Sequence, residues 1–262
     1  MAIKQYFKKV KFSGFPIGRI FSKISTLAND DLTLSGLEQA RELIEKDKEG
    51  LSVFFAHLGL LDVFGTAIAF EKYINYKGIF PVAATWYNFP YLKPIFISLA
   101  KQVPHEFIPV FRKEEMGYSD LNVTFVDYSG LDSNGKKIAN KKYVERTKKA
   151  LDDGRVVMLS PYGGRAPKLE FLRSGPVRML QAGNPVIFSL TYWNWKKFKY
   201  EVFFSNVYRF DKNVDKQAAH KQIFAEYYRM AKLNGLTKIQ ITNVKSGKGL
   251  LTKIWEVVYP IF

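Results

Sequence analysis

Short apolar runs alternate with segments of helical periodicity along most of this 262-residue chain. The runs are rich in β-branched and aromatic residues and lie at 51–56, 78–85, 107–111, 155–160, 186–192 and 200–208. Helical patterns occur near 37–48, 60–73, 90–102, 138–152, 174–183 and 215–234. Alternation of this kind favours an α/β fold, because parallel strands need a crossover between them. We therefore predict an α/β domain with a mixed, partly parallel sheet flanked by helices.

Residues 1–30 differ from the rest and are predicted to form a basic amphipathic arm at a membrane interface, with the α/β domain spanning 31–262. The arm mixes Phe, Ile and Val with Lys and Arg and is broken by glycine and proline. A basic helix packed on the core is the alternative. Ser35 and Glu38 have capping-box spacing and predict a helix that Gly50 closes. The stretch 113–137 has little periodicity and is expected to be a long lid, binding loop or disordered segment.

The chain carries 40 Lys and Arg against 24 Asp and Glu, a formal charge of +16 that favours anionic partners. Aromatics sit beside lysines, as in the run from Trp193 to Lys199. That pattern suits a lipid headgroup region, and it would also suit stacking on single-stranded bases. Zinc spacing, recognition-helix and RNP-like motifs are missing from the sequence, so nucleic acid is not the expected partner. The predicted partner is a membrane surface with anionic lipids.

No sequence window is apolar enough for a conventional spanning helix, and the basic N-terminal segment lacks the pattern of a cleaved signal peptide. We expect a peripheral or monotopic protein on the cytoplasmic face of a membrane. The chain has no cysteine, which excludes thiolate metal sites and cysteine nucleophiles. No metal or cofactor is predicted.

His57 and Asp62 follow the apolar run 51–56, with four residues between them. In one regular helix they would point roughly 140° apart, so the chain must turn between them. His57 can then end a strand while Asp62 begins a helix and reaches back to the imidazole. Such a pair can act as a general base with its orienting carboxylate. A hydrogen-bonded core histidine and a carboxylate at a helix N-terminus are the structural alternative.

Two further strand ends carry polar groups. Arg112 follows the run 107–111 and can grip a phosphate bidentately. Ser160-Pro161-Tyr162-Gly163-Gly164-Arg165 follows the run 155–160, and its paired glycines allow close approach of backbone to a ligand beside the positive charge of Arg165. A surface arginine and a tight turn are the structural alternatives for these two segments.

In this order the segments resemble the glycerophospholipid acyltransferase family typified by bacterial 1-acylglycerol-3-phosphate acyltransferase. His57 and Asp62 match its HX4D motif, residues 107–112 resemble its second block, 160–166 its third and 183–187 its fourth. The resemblance spans about 52–192. It implies transfer of an acyl group from acyl-CoA or acyl-carrier-protein to a hydroxyl, with His57 as base, Asp62 as orienter, and Arg112 and Arg165 on the acceptor phosphate.

The third block departs from the family pattern at Tyr162, where a glutamate is usual, and at Gly164, where threonine is common. Because that glutamate is associated with acceptor binding, the departure bears on which acceptor is used. Tyr162, Gly163, Gly164 and Arg165 are predicted to line the acceptor pocket together with Arg112. A different lysolipid or amino-lipid acceptor, and a non-catalytic lipid-binding protein, are the alternative functions.

Overall fold

The protein is described from a computed structural model. The structure describes residues 23, 25–57, 62–76, 78–83, 105–110, 122–123, 126–127, 133–163, 172–194, 197–233 and 235. Most of the predicted arm, the predicted helix 90–102 and much of the segment 113–137 lie outside these residues. The division into arm and domain therefore stays a prediction.

Seven strands form one sheet in the order β1-β9-β8-β2-β7-β3-β4. They are β1 (Ser25–Leu27), β2 (Leu51–Phe55), β3 (Gly78–Ala83), β4 (Glu106–Val110), β7 (Val156–Leu159), β8 (Val186–Asn194) and β9 (Lys199–Tyr208). β8, β2, β7, β3 and β4 are mutually parallel, and β9 pairs antiparallel with β8. A separate two-stranded ribbon is formed by β5 (Asn122–Val123) and β6 (Val126–Asp127). The sheet is thus mixed and partly parallel, as predicted, and five of its seven strands are mutually parallel.

Five α-helices belong to the described part of the chain. They are α1 (Asp31–Arg41), which continues as a π-helical segment (Glu42–Asp47), α2 (Asp62–Tyr73), α3 (Ser133–Asp152), α4 (Ser174–Gln181) and α5 (Lys216–Leu233). None of these described helices combines the length and the apolar composition needed to cross a bilayer.

The helices cover both faces of the sheet. One apolar cluster joins α1 and α2 to one face, and a second joins α3, α4 and α5 to the other. All five residues of β2 and all four of β7 are buried, because both strands are covered on both sides. Along β2, Phe54 faces the α5 side and Phe55 faces the α2 side. Successive side chains along β2 therefore point to opposite faces of the sheet.

The first helix begins earlier than the capping-box pattern predicts. Asp30 is the N-cap and its Oδ1 accepts a 2.9 Å hydrogen bond from the Thr33 backbone N–H, so Ser35 lies inside the helix and the predicted cap is wrong. The helix ends at Lys48, which is left-handed with φ 56°, rather than at Gly50. A Cβ at Gly50 would lie 2.1 Å from the Leu151 carbonyl oxygen, so the glycine allows close packing instead.

The predicted long loop 113–137 is partly structured. Two short strands, β5 and β6, lie within it, and its last five residues already belong to α3. Low hydropathic periodicity misled the prediction here, because the first turns of α3 carry few apolar residues. The segment therefore ends inside α3, and the later turns of this helix pack against the sheet.

Candidate functional site

His57 and Asp62 lie at the edge of the sheet where the parallel strands β2, β7 and β8 end, which we call the carboxyl edge. His57 stands two residues beyond β2, and Asp62 is the first residue of α2. The His57 Nδ1 and Asp62 Oδ1 atoms are 2.8 Å apart, with side chains 13% and 0% exposed. The two side chains are therefore in contact, at the edge where open α/β sheets bind ligands.

The contact fixes which imidazole nitrogen is available for chemistry. Asp62 engages Nδ1, and a carboxylate there favours the tautomer whose proton is on that nitrogen. Nε2 is then the nitrogen with a lone pair that can accept a proton. The Asp62 carboxylate also lies at the start of a helix, where the backbone dipole stabilises negative charge. The pair therefore has the chemistry of a general base with an orienting carboxylate.

Neighbouring strands flank His57 on both sides. Phe55 pairs with Ser189 and Phe54 with Leu159, so extending the registers places Thr191 of β8 and Tyr162 after β7 level with His57. The ring of Phe55 meets the imidazole edge-to-face, with centroids 5.7 Å apart. Packed neighbours on the strand and beside it thus restrict the histidine ring.

A buried hydroxyl cluster anchors α2 to the sheet directly behind Asp62. The Thr66 Oγ1, one helical turn after Asp62, lies 2.8 Å from Ser189 Oγ and 3.2 Å from Thr191 Oγ1. All three side chains are buried. Because buried hydroxyls are costly to leave unbonded, the cluster specifies how the first turn of α2 seats on β8. It thereby sets the position of Asp62.

Tyr227 of α5 supports the same strand end from the opposite face. Its hydroxyl donates a 2.9 Å hydrogen bond to the Phe54 carbonyl oxygen, and the residue is fully buried. Burial raises the pKa of Tyr227 well above its ordinary value, with further contributions from Tyr162 and Asp62, so the hydroxyl stays a neutral donor. Sequence reasoning missed Tyr227, because helical periodicity marks it only as a core position.

The segment after β7 is a tight turn. Gly163 has φ 86° and its N–H donates to the Ser160 carbonyl oxygen at 3.0 Å. Arg173 closes over the turn: its backbone N–H donates to the Pro161 carbonyl oxygen at 2.9 Å and its Nε donates to the Tyr162 carbonyl oxygen at 3.2 Å. Arg173 is exposed and adds a positive charge beside this turn, a cation that no sequence pattern singled out.

Tyr162 faces the α5 side of the sheet. It is 3% exposed, and its ring meets His220 edge-to-face at 5.7 Å. Burial raises the pKa of Tyr162 well above its ordinary value, so the phenol is neutral where a glutamate would carry charge. Neither its hydroxyl nor that of Ser160 has a hydrogen-bond partner among the described residues. Both hydroxyls are buried, and in the register of the sheet Ser160 is level with Phe55 and Tyr162 with His57.

The remaining predicted site residues are not placed by the structure. Arg112, Gly164 and Arg165 lie outside the described residues, so only His57, Asp62, Tyr162 and Gly163 can be compared in space. Of these, His57 and Asp62 are in contact, and Gly163 belongs to the turn beside them. Their assigned roles stay predictions.

A second histidine–carboxylate pair occupies the opposite edge of the sheet. His105 precedes β4, its Nε2 contacts the Glu71 carboxylate, and its Nδ1 accepts a 3.0 Å hydrogen bond from the Gly78 N–H. The Tyr76 ring stacks on the imidazole at 4.8 Å, and the His105 side chain is only 2% exposed. With both nitrogens bonded, this histidine ties α2 to the starts of β3 and β4. Glu71 lies 34 residues before His105, so no local spacing in the sequence indicates this pair.

Within the described ranges, no group of three or more His, Asp or Glu side chains is arranged to hold a metal ion. When the chain is compared with protein-family models and with curated proteins, neither comparison finds a match. The grounds for a proposed function are therefore the fold, the site geometry and the sequence motifs.

Proposed function

We propose that this protein is a membrane-surface O-acyltransferase. It would move a fatty acyl group from acyl-CoA or acyl-carrier-protein to a hydroxyl of a phosphate-bearing lipid or glycerol-phosphate acceptor. The observation that carries the proposal is the 2.8 Å contact between His57 Nδ1 and Asp62 Oδ1 at the carboxyl edge of a mostly parallel sheet. The resemblance of 52–192 to the glycerophospholipid acyltransferase family supplies the reaction class.

In the proposed reaction His57 Nε2 takes the proton of the acceptor hydroxyl as its oxygen attacks the thioester carbonyl carbon. The tetrahedral intermediate collapses, the carbon–sulfur bond breaks, and the imidazolium returns the proton to the leaving thiolate. Asp62 stabilises the imidazolium between these steps. General base catalysis of this kind contributes about 10²- to 10⁴-fold. No acyl-enzyme is needed, because the thioester is already activated.

Positive charge near the carboxyl edge supports an anionic acceptor. Arg112 and Arg165 are the residues proposed from sequence to hold its phosphate, with backbone N–H groups at Gly163 and Gly164 assisting. The exposed Arg173, bonded to the Tyr162 carbonyl oxygen, adds a cation beside the same turn.

Tyr162 favours a second acceptor class. Its phenol is neutral and buried on the α5 side of the sheet, where the family glutamate would carry a charge, so this position offers the acceptor no charged contact. That exchange suits a lysophospholipid, an amino-lipid or another polar alcohol better than a ligand that needs a carboxylate partner. A non-catalytic lipid-binding protein with the same fold is the alternative outside enzymology.

The test is incubation with radiolabelled acyl-CoA or acyl-carrier-protein and a panel of acceptors. These are glycerol 3-phosphate, lysophosphatidic acid, neutral lysophospholipids and amino-lipids. We expect a labelled ester with at least one acceptor and loss of labelling in His57→Gln. His105→Gln is the matched control, because it removes a histidine paired with a carboxylate at the opposite edge. A protein that binds vesicles but labels no acceptor is a lipid-binding protein.

A further inference from the structure

The hairpin between β8 and β9 projects beyond the candidate site. Phe55 pairs with Ser189, so Thr191 is level with His57 and Asn194, the end of β8, is three residues further along. At about 3.3 Å per residue the strand end lies roughly 10 Å beyond His57 on the carboxyl edge. Asn194 pairs with Lys199, the first residue of β9. We call Asn194 together with the described residues Lys197, Phe198 and Lys199 the hairpin tip.

A hydrogen-bonded network holds the base of the hairpin tip. The Asn194 Nδ2 donates to Glu201 Oε2 at 3.0 Å, and the Tyr192 hydroxyl donates to the same carboxylate at 2.5 Å. The Lys197 Nζ lies 2.6 Å from the other carboxylate oxygen, and the Lys197 N–H donates to Asn194 Oδ1 at 3.2 Å. The Tyr192 ring also stacks on Phe203 at 5.5 Å. The described residues Asn194 and Lys197 are therefore held in place by hydrogen bonds and an ion pair to Glu201.

Phe198 is an exposed aromatic residue of the hairpin tip. Its side chain is 66% exposed and its backbone has φ 50°, the left-handed region that costs a bulky residue of order 1–2 kcal/mol. Lys197 and Lys199 flank it and are both exposed. Exposure of an aromatic ring in a strained backbone is an observation that points to function rather than to folding.

We infer that the hairpin tip is a docking surface for an anionic lipid bilayer, with Phe198 entering the headgroup region and Lys197 and Lys199 contacting lipid phosphates. An aromatic ring at the interface flanked by lysines is a common anchor of peripheral proteins. Docking there would turn the carboxyl edge and His57 toward the membrane, where a lipid acceptor and its product reside. This orientation rests on the proposed function, whereas the binding itself does not.

Affinity for vesicles provides the first test. Lys197→Ala/Lys199→Ala is compared with Lys148→Ala/Lys149→Ala, which removes the same charge from the end of α3 at the opposite edge. Near an anionic surface each lysine contributes about 1 kcal/mol, about five-fold in binding. We expect the tip variant to bind vesicles of phosphatidylglycerol and phosphatidylcholine roughly 10- to 30-fold more weakly than the control. Phe198→Asn should also weaken binding, and asparagine tolerates the left-handed backbone, so its folding is preserved.

Depth of insertion provides the second test. The chain has no cysteine, so Phe198→Cys and Lys149→Cys each create one thiol for an environment-sensitive fluorophore. A blue shift on anionic vesicles is expected at 198 and not at 149, whatever other segments contribute to binding. Equal vesicle affinity of the tip and control variants, together with no shift at 198, would overturn the inference. So would loss of single-stranded oligonucleotide binding in Phe198→Asn with vesicle binding unchanged.

Vesicle binding is measured without turnover, so its failure is distinct from failure of the proposed acyltransfer. The variant His57→Gln should bind vesicles like the wild type and show the same fluorophore shift at 198. If the tip variants lose vesicle binding while no acceptor is labelled, the docking surface stands and the acyltransferase proposal falls. If acceptors are labelled and the tip variants bind vesicles normally, the acyltransferase proposal stands and the docking surface falls.

Discussion

Replacing Asp62 by asparagine tests the central contact of the candidate site. Asparagine has nearly the same shape, so the fully buried position is not emptied, but the negative charge that stabilises the His57 imidazolium is lost. A hydrogen bond to a charged group contributes about 1.5–3 kcal/mol. If that interaction exists mainly in the transition state, kcat should fall about 10- to 150-fold, since about 1.4 kcal/mol corresponds to ten-fold. The KM for the acyl donor should change little, because Asp62 does not contact substrate in this mechanism.

Thiol release from acyl-CoA in the presence of acceptor gives kcat and KM for this comparison. Glu71→Gln is the matched control, because Glu71 is also a buried carboxylate in contact with a histidine, His105, at the opposite edge of the sheet. Both variants lose a buried charged contact, so both should lower the free energy of unfolding in urea. Asp62→Asn alone should lower kcat.

The proposed role of Asp62 is refuted if Asp62→Asn retains wild-type kcat while it is folded. It is equally refuted if Glu71→Gln reduces kcat as much as Asp62→Asn does, because the effect would then report stability rather than orientation of the base.

Four other outcomes are expected. Arg112→Ala should raise the acceptor KM with kcat nearly unchanged, and an unchanged acceptor KM removes that arginine from the site. Tyr227→Phe removes the hydrogen bond that joins α5 to the Phe54 carbonyl oxygen, so urea unfolding should show a loss of about 0.5–1.5 kcal/mol, and kcat should fall because the strand end that carries the base loosens. Gly163→Ala should destabilise the protein by about 1–2 kcal/mol, because φ is 86° there and the new Cβ would lie 2.9 Å from the Arg173 side chain. Thermal unfolding measures this loss, and an unchanged midpoint temperature would contradict it. Burial raises the pKa of Tyr143 to about 12, compared with about 10 in the unfolded chain. The contribution of this neutral phenol to stability is therefore present below pH 10 and is lost as the pH rises toward 12, at up to about 1.4 kcal/mol per pH unit. Urea unfolding across this pH range should show a smaller loss of stability in Tyr143→Phe than in the wild type.

Several features of the fold follow from local sequence. The runs that became β2 and β7 are apolar throughout, as expected for strands covered on both faces, and their alternation with helical patterns indicated parallel pairing. The first helix shows where local rules fail: Ser35 has the capping-box spacing, but Asp30 is the N-cap and Ser35 lies inside the helix. Asp30 accepts a hydrogen bond from the Thr33 N–H, and the Thr33 hydroxyl accepts a 3.1 Å hydrogen bond from the Phe204 N–H of β9. A contact to a distant strand thus decides where the helix begins, and no local pattern encodes it.

The sequence predicts that His57 ends a strand and that Asp62 begins a helix after a turn, because their spacing and the apolar run before them favour this arrangement, but it leaves open whether the two side chains meet. The tertiary structure decided everything that depends on distant residues. Tyr227 reaches the Phe54 carbonyl oxygen across 173 positions, and Thr66 reaches Ser189 across 123. It also decided that His105 pairs with Glu71, 34 residues earlier, at the far edge of the sheet. Spacing along the chain predicts contacts only within a turn or an element, whereas these contacts arise from the order of the strands in the sheet.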